Sequence, residues 1–156
     1  MKEYKSNIKQ AEGRYAILAS RWNSALVDQL KAGALAEFAN HGIPQSDIEL
    51  FYAPGAYEFP LVAQALAKTG KYDAVITLGA VIRGDTPHFD FVAGECASGL
   101  TRASMDTGVP IIFGVLTVNN LAQAEERADT SKSNKGGEFA ETAMEMVALL
   151  KEIRGI

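Results

Sequence analysis

The sequence predicts an α/β protein in which a four-stranded parallel sheet lies between two layers of helices. Apolar segments of strand length alternate four times along the chain with longer segments of helical periodicity. The strand segments are continuously apolar, as is typical of parallel strands that helices cover on both faces. Right-handed crossovers between such strands produce a three-layer α/β/α sandwich.

Each predicted strand has an apolar centre and is followed by a polar segment or a turn. The first, 14–20, is centred on AILA, and the third, 74–82, reads AVITLGAVI without a charge. The other two are expected at 47–53 and 111–117. The second strand runs into the dipeptide Pro54-Gly55, which favours a turn. Each strand is therefore expected to end in a loop that leads into a helix.

Apolar residues at helical spacing predict helices at about 24–40, 57–68, 89–107, 121–128 and 135–153. Asn23 or Ser24 can cap the first helix, and Asn119 or Asn120 the fourth. Residues 1–13 are polar and are expected to form a loose N-terminal arm. No linker or repeat interrupts the chain, so a single domain over 1–156 is expected.

Composition and charge exclude several classes of function. The 156 residues carry a net charge of −4, which argues against broad binding of nucleic acid or of anionic membranes. No apolar run reaches the ~18 residues that span a bilayer, and 1–13 lack the apolar centre of a secretory signal, so a cytoplasmic protein is expected. The one cysteine, Cys96, is expected to be buried and inert. The two histidines and the cysteine give no metal-ligand spacing.

The third strand ends in a polar loop, RGDTPH, which carries a cation, a carboxylate, a hydroxyl and an imidazole. Ligands of α/β proteins bind where loops leave the carboxyl ends of parallel strands. The spacing of Gly79 and Gly84 matches a nucleotide-binding P-loop, but Asp85 stands where that motif has lysine, which argues against a nucleotide triphosphatase. A turn in which backbone N–H groups and the Thr86 hydroxyl hold a smaller phosphate stays open.

The last residue of that loop, His88, is a candidate acid and base. Imidazole passes protons in both directions near neutral pH. His88 lies at the expected start of the third helix, where a capping or partly buried imidazole is the alternative. Its position directly after a buried strand favours the acid–base role over the capping one.

Residues that follow the first two strands are expected at the same edge of the sheet. Trp22 is either a half-buried core residue or a flat platform for a heteroaromatic ring, with the Asn23 amide beside it. Gly55 allows backbone to approach a ligand closely. Glu58 is either a surface residue in a first helical turn or a hydrogen-bond acceptor for a polyol.

Two cations, Arg127 and Lys135, bracket a polar connection late in the chain. Such residues are usually solvated surface charges. With Thr86 they could instead form a cationic clamp for a phosphorylated substrate.

Longer motifs extend this interpretation: SRWN (20–23), PGAYE (54–58), KYDA (71–74), GAVIRGDTPHF (79–89), PIIFGVLT (110–117), QAEERA (123–128) and NKG (134–136). Their order and spacing resemble those of the lumazine synthase (6,7-dimethyl-8-ribityllumazine synthase) family across almost the whole chain. The resemblance implies a flavodoxin-like sheet and a transferase of riboflavin biosynthesis. It implies condensation of 5-amino-6-(D-ribitylamino)uracil with 3,4-dihydroxy-2-butanone 4-phosphate, which releases phosphate and water without a cofactor.

The resemblance also implies roles for individual residues. Trp22 would stack on the pyrimidine, whose edge the Asn23 amide could serve on the residue pattern alone. Ala56, Tyr57 and Glu58 would line the ribityl side, and Ala80, Val81 and Ile82 would present backbone groups to the pyrimidine. Asp85, Thr86 and Arg127 would hold the phosphate, and His88 would transfer protons. Phe113 and Lys135 would complete the pocket, part of which would come from an adjacent subunit, although the residue pattern alone places Phe113 in the core.

Several positions depart from the family pattern. Trp22 replaces a more frequent Phe, and we expect riboflavin to bind there in competition with the pyrimidine. Ala80 replaces Thr, and Asp85 replaces a small residue and is expected to weaken anion binding. The segment 129–134 also differs, and it bears on assembly. The resemblance implies a homopentamer, with a 60-subunit shell and riboflavin synthase as further candidate partners.

Two other functions remain open. A flavodoxin-like binding or signalling domain would share the architecture, but a signalling receiver needs clustered acidic residues after the first strand, where Arg21, Trp22 and Asn23 stand. A flavin-storing or shell-forming relative with reduced activity would agree with Ala80 and Asp85. A steady-state assay with both substrates separates this relative from the enzyme.

Overall fold

The computed structural model describes all residues from 1 to 156. Five strands and five α-helices follow one another along the chain. The strands are β1 (Tyr15–Ser20), β2 (Ile48–Ala53), β3 (Ala74–Ile82), β4 (Ile111–Ile112) and β5 (Val115–Val118). The helices are α1 (Ser24–Asn40), α2 (Phe59–Lys68), α3 (His88–Thr107), α4 (Leu121–Ala128) and α5 (Lys135–Arg154). Single 3₁₀ turns at Gln45–Asp47 and Ala56–Glu58 precede β2 and α2.

All strand pairs are parallel, and the order across the sheet is β2-β1-β3-β4, with β5 also paired to β3. Successive residues of β1 point to opposite faces and are buried on both. Tyr15, Ile17 and Ala19 join a core cluster with α1, α4 and α5. Ala16 and Leu18 join a second cluster with α2 and α3. The predicted three-layer α/β/α sandwich is confirmed.

The predicted fourth strand, 111–117, is two strands rather than one, so the sheet has five strands and not four. The side chain of Thr77 in β3 causes the break. Its hydroxyl donates to the carbonyl of Ile112 (2.7 Å) and accepts from the N–H of Gly114 (3.2 Å), which replaces ladder hydrogen bonds between strands. A glycine inside a strand pattern marks such an irregularity. Phe113, in the break, is 39% exposed and is not the core residue that its pattern predicts.

The helix caps agree with the sequence at α4 but not at α1. The side chain of Asn120 accepts from the N–H of Gln123 (2.9 Å) and caps α4 as expected. Asn23 lies in the left-handed region (φ 58°) and its side chain makes no capping hydrogen bond to α1. That amide is used elsewhere, as the site shows.

Cys96 is fully buried on the α3 face that packs against the sheet, as predicted. Burial raises the pKa of its thiol to about 12, so the thiol is protonated at neutral pH and unreactive. None of the helices is long and apolar enough to cross a membrane.

Candidate active site

The main pocket, of about 410 Å³, opens at the carboxyl ends of β1 and β3, where the loop after β2 and the first turn of α3 converge. Nine of the predicted residues line it: Trp22, Asn23, Ala56, Tyr57, Glu58, Ala80, Val81, Ile82 and His88. Gly55, which was expected beside a ligand, also lines it, and three residues that were not predicted complete it: Ser20, Phe91 and Val92. Phe91 and Val92 follow His88 by three and four residues, and that helical spacing was the available signal for them.

The backbone around Trp22 is fixed by three hydrogen bonds. The N–H of Trp22 donates to the carbonyl of Pro54 (3.1 Å), and its carbonyl accepts from the Ser20 hydroxyl (2.9 Å). The preceding N–H, of Arg21, donates to the carbonyl of Ala53 (2.8 Å). The Trp22 side chain is 59% exposed. A flat aromatic surface therefore projects into the pocket from a rigid main chain.

One edge of β3 faces this pocket. The N–H groups of Gly79 and Arg83 donate to carbonyls next to and within β5 (3.1 and 2.8 Å). Because backbone groups alternate along a strand, those of Ala80 and Ile82 point to the opposite edge, toward β1. The pairing of β1 with β3 ends before Ala80. Backbone groups at the end of β3 thus extend beyond the ladder into the wall of the pocket.

The Asn23 side chain connects the loop after β1 to the end of β3. Its Nδ2 donates to the carbonyl of Ala80 (3.1 Å), which explains why it does not cap α1. The Ala80 carbonyl is therefore already occupied, and the Asn23 amide keeps its oxygen as an acceptor. The sequence predicted that backbone groups of Ala80, Val81 and Ile82 bind a ligand. Of these groups, the Ala80 carbonyl already accepts a hydrogen bond from within the chain.

Glu58 supplies the least satisfied polar atom of the pocket. It lies in the 3₁₀ turn before α2, and its side-chain Oε2 is buried without a hydrogen-bond partner. Neighbouring Ala56 is buried, whereas Tyr57 is 59% exposed. A buried acceptor without a partner is costly unless a ligand or water satisfies it. The pocket therefore presents one buried carboxylate oxygen without a hydrogen-bond partner.

His88 is the first residue of α3, and the loop before it is held by Arg83. The Arg83 guanidinium contacts Asn119 Oδ1 (3.1 Å) and Asp90 (3.4 Å) and lies over the Phe89 ring (4.4 Å to its centroid). The Thr86 hydroxyl accepts weakly from the N–H of His88 (3.4 Å). These contacts place His88 in the pocket wall.

The other five predicted residues do not line the pocket: Asp85, Thr86, Phe113, Arg127 and Lys135. Asp85 and Thr86 are exposed in the loop that precedes His88, and Asp85 forms no ion pair. Arg127 donates to the carbonyl of Gln123 (3.0 Å), and Lys135 pairs with Glu138 (2.8 Å). Phe113 lies at the edge of the sheet formed by β4 and β5. The pocket therefore brings nine of the fourteen predicted residues together and leaves five outside it.

The remaining three predicted residues lie on different elements: Phe113 between β4 and β5, Arg127 in α4 and Lys135 at the first position of α5. The ring of Phe139, one turn after Lys135, packs against Gly114 beside Phe113. Helix α4, with Arg127 in its last turn, contacts both β5 and α5.

No group of three or more His, Cys, Asp or Glu side chains could hold a metal ion.

The parallel sheet and the pocket at its carboxyl edge define an α/β protein with a small-molecule site. The model of the 6,7-dimethyl-8-ribityllumazine synthase family matches residues 12–151 of the 156, and the chain belongs to this family. The resemblance noted from the motifs is confirmed. The family consists of transferase-type enzymes of riboflavin biosynthesis.

Proposed function

We propose that this protein condenses 5-amino-6-(D-ribitylamino)uracil with 3,4-dihydroxy-2-butanone 4-phosphate to form 6,7-dimethyl-8-ribityllumazine. Family membership supports the reaction. The single observation that carries it is the convergence in one pocket of the Trp22 ring, the end of β3, Glu58 and His88. These groups suit a flat heterocycle, its polyol chain and a proton transfer.

The pyrimidine and its ribityl chain bind in the pocket described above. Trp22 stacks on the ring, while the backbone of Ile82 and the Asn23 oxygen meet its polar edge. Val81 lines the pocket, but its backbone groups face β5. The buried Oε2 of Glu58 accepts a hydrogen bond from a ribityl hydroxyl, and this donor satisfies it. Ala56 and Tyr57 line the same side of the pocket. The volume of about 410 Å³ suits one such ligand.

The phosphorylated substrate binds beside the loop before His88. The Thr86 hydroxyl and nearby backbone N–H groups, with Arg127 of the adjacent subunit, hold its phosphate. Asp85 is exposed and forms no ion pair, so its carboxylate turns to solvent when the anion binds.

The reaction needs proton transfers but no electron transfer. The 5-amino nitrogen attacks the ketone carbon, and loss of water gives a Schiff base. Loss of the C3 proton expels phosphate from C4 and leaves an enol, which takes up a proton and becomes a ketone at C3. The ribityl-bearing nitrogen attacks this new carbonyl, and loss of a second water closes the ring. His88 accepts and returns protons during these steps. Holding the two substrates together can itself contribute roughly 7–11 kcal/mol.

Part of each site comes from an adjacent subunit. Phe113 lies at the sheet edge opposite β2, and Phe113, Arg127 and Lys135 all lie outside the pocket of their own chain. Exposed apolar side chains of α2 and α3, Leu61 (76%) and Met105 (80%), favour burial against another copy. We therefore propose a homopentamer in which this edge completes the neighbouring pocket. A 60-subunit shell and an association with riboflavin synthase are further proposals.

Mixing two inactive variants tests the shared site. His88→Ala and Arg127→Ala lack different halves of it. Random mixed rings regain roughly a quarter of the parent activity, because that fraction of heterologous interfaces pairs an intact His88 with an intact Arg127. No recovery after unfolding and joint refolding would place both residues in one subunit's site.

A flavin-binding or shell-forming relative with reduced activity is the second candidate. Ala80 and the exposed Asp85 favour it, because one removes a hydroxyl and the other adds a negative charge near the phosphate. A steady-state assay with both substrates decides between them. Turnover that requires His88 supports the enzyme, whereas riboflavin binding without turnover supports the relative.

A further inference from the structure

Gly55 has no backbone reason to be glycine. Its φ of −156° and ψ of −176° describe extended backbone, which any residue adopts. It is buried, and its carbonyl accepts from the N–H of Glu58 (3.2 Å) in the 3₁₀ turn that follows, which the carbonyl of any residue can do. The reason lies in the space beside its Cα, which a side chain would need.

The ring of Trp22 fills that space. A Cβ at position 55 would lie 2.6 Å from Cζ3 and 3.4 Å from Cδ2 of Trp22, and it would also overlap Cε3. The benzo edge of the indole therefore rests directly on the Gly55 backbone. Sequence reasoning expected this glycine to admit a ligand, but the indole occupies the position.

Trp22 cannot avoid a larger residue by moving its main chain. Its N–H bonds to the carbonyl of Pro54, the residue that precedes Gly55, and its carbonyl bonds to the Ser20 hydroxyl. The following residue, Asn23, is tied to β3. A side chain at position 55 would thus force the indole to rotate about its side-chain bonds, toward the pocket.

We propose that Gly55 is a positioning residue that sets the plane of the Trp22 ring for an aromatic ligand. The ligand part of this proposal rests on the proposed function, whereas the position of the ring does not. Gly55 determines which face of the indole is open, and so how a flat heterocycle stacks between the ring and the end of β3.

Fluorescence tests the position of the ring without any ligand, because Trp22 is the only tryptophan in the chain. Gly55→Ala shifts the emission maximum and increases quenching by acrylamide. Gly94→Ala is the control, since Gly94 is exposed in α3 and a Cβ there meets nothing within 4 Å. Unchanged emission and quenching in Gly55→Ala would overturn the proposal.

Ligand binding separates positioning from a general effect on folding. Riboflavin and the ribitylaminouracil bind Gly55→Ala about 3- to 10-fold more weakly, the range expected for lost ring stacking. In a Trp22→Ala background the same change at position 55 has little further effect, because the clash is gone. An equal loss of affinity in both backgrounds would contradict the proposal. If the parent binds neither ligand, the proposed function fails while the fluorescence result still decides the role of Gly55.

Discussion

Replacement of Glu58 is expected to weaken ligand binding without lowering the stability of the ligand-free protein. Its Oε2 is buried in the pocket wall without a partner, so the folded protein carries a polar atom that only a ligand or water satisfies. Glu58→Gln retains the shape and a neutral acceptor. Glu58→Met fills a similar volume without a polar group. Both variants weaken the binding of the ribityl chain, and neither lowers the stability of the free protein.

The expected size follows from the nature of the lost hydrogen bond. A hydrogen bond to a charged group contributes about 1.5–3 kcal/mol. Its loss raises the KM for the ribitylaminouracil about 10- to 150-fold. A buried acceptor that lacks a partner costs about 1–3 kcal/mol in the free protein. Glu58→Met removes this cost, so its free energy of unfolding equals or exceeds that of the parent.

Steady-state kinetics with each substrate varied in turn, and urea denaturation without ligand, measure the two effects. The KM of the phosphorylated substrate stays near the parent value, because Glu58 lies on the ribityl side. Glu145→Gln is the control, since Glu145 is exposed on α5 and forms no ion pair. A Glu58→Met variant that loses stability but keeps the parent KM would refute a ligand-binding role and make Glu58 structural.

Three further predictions concern catalysis, packing and pH. His88→Ala lowers kcat about 100-fold or more and leaves circular dichroism unchanged, because the side chain is exposed; an unchanged kcat would remove the proton-transfer role. Gly114→Ala lowers the free energy of unfolding by about 1–3 kcal/mol, because its Cβ would overlap the Thr77 carbonyl; stability equal to that of Gly94→Ala would contradict the packing. Burial lowers the pKa of His41, but hydrogen bonds to the Ile8 carbonyl (2.6 Å) and Glu37 (2.8 Å), with Glu141 nearby, outweigh burial and raise it. The parent is therefore more stable than His41→Gln below about pH 6.5, and the difference disappears as pH rises through the folded-state pKa; a difference independent of pH would show that His41 acts without its charge.

The fold was predictable because the signal for it is distributed over many residues. The continuously apolar strands are buried on both faces and the helices on one. The spacing of apolar residues along the chain is enough to identify both kinds of element. The split of the last strand was not predictable in the same way. It depends on the hydroxyl of Thr77, which is distant in sequence from Gly114 and enters the ladder only once β3 and β4 are neighbours. Glycine at 114 indicated an irregularity without its form.

The site was predictable to the extent that strand ends determine it. Trp22, Glu58 and His88 each follow a strand, and the sheet brings them to one pocket. The partners of individual atoms were beyond the sequence. That Asn23 bonds to Ala80 rather than capping α1, and that the Trp22 ring rests on Gly55, depends on contacts between separate loops. Nor could the residue pattern alone show that Phe113 and Lys135 lie outside the pocket of their own chain.

The central claim is that this chain catalyses the condensation, and product analysis tests it most directly. The purified protein is incubated with both substrates, and lumazine fluorescence and inorganic phosphate are followed together. We predict that the two products appear in equal amounts, that both substrates are required, and that His88→Ala reduces both rates alike. Phosphate release without lumazine, or no turnover by a folded protein that binds riboflavin, would contradict the account.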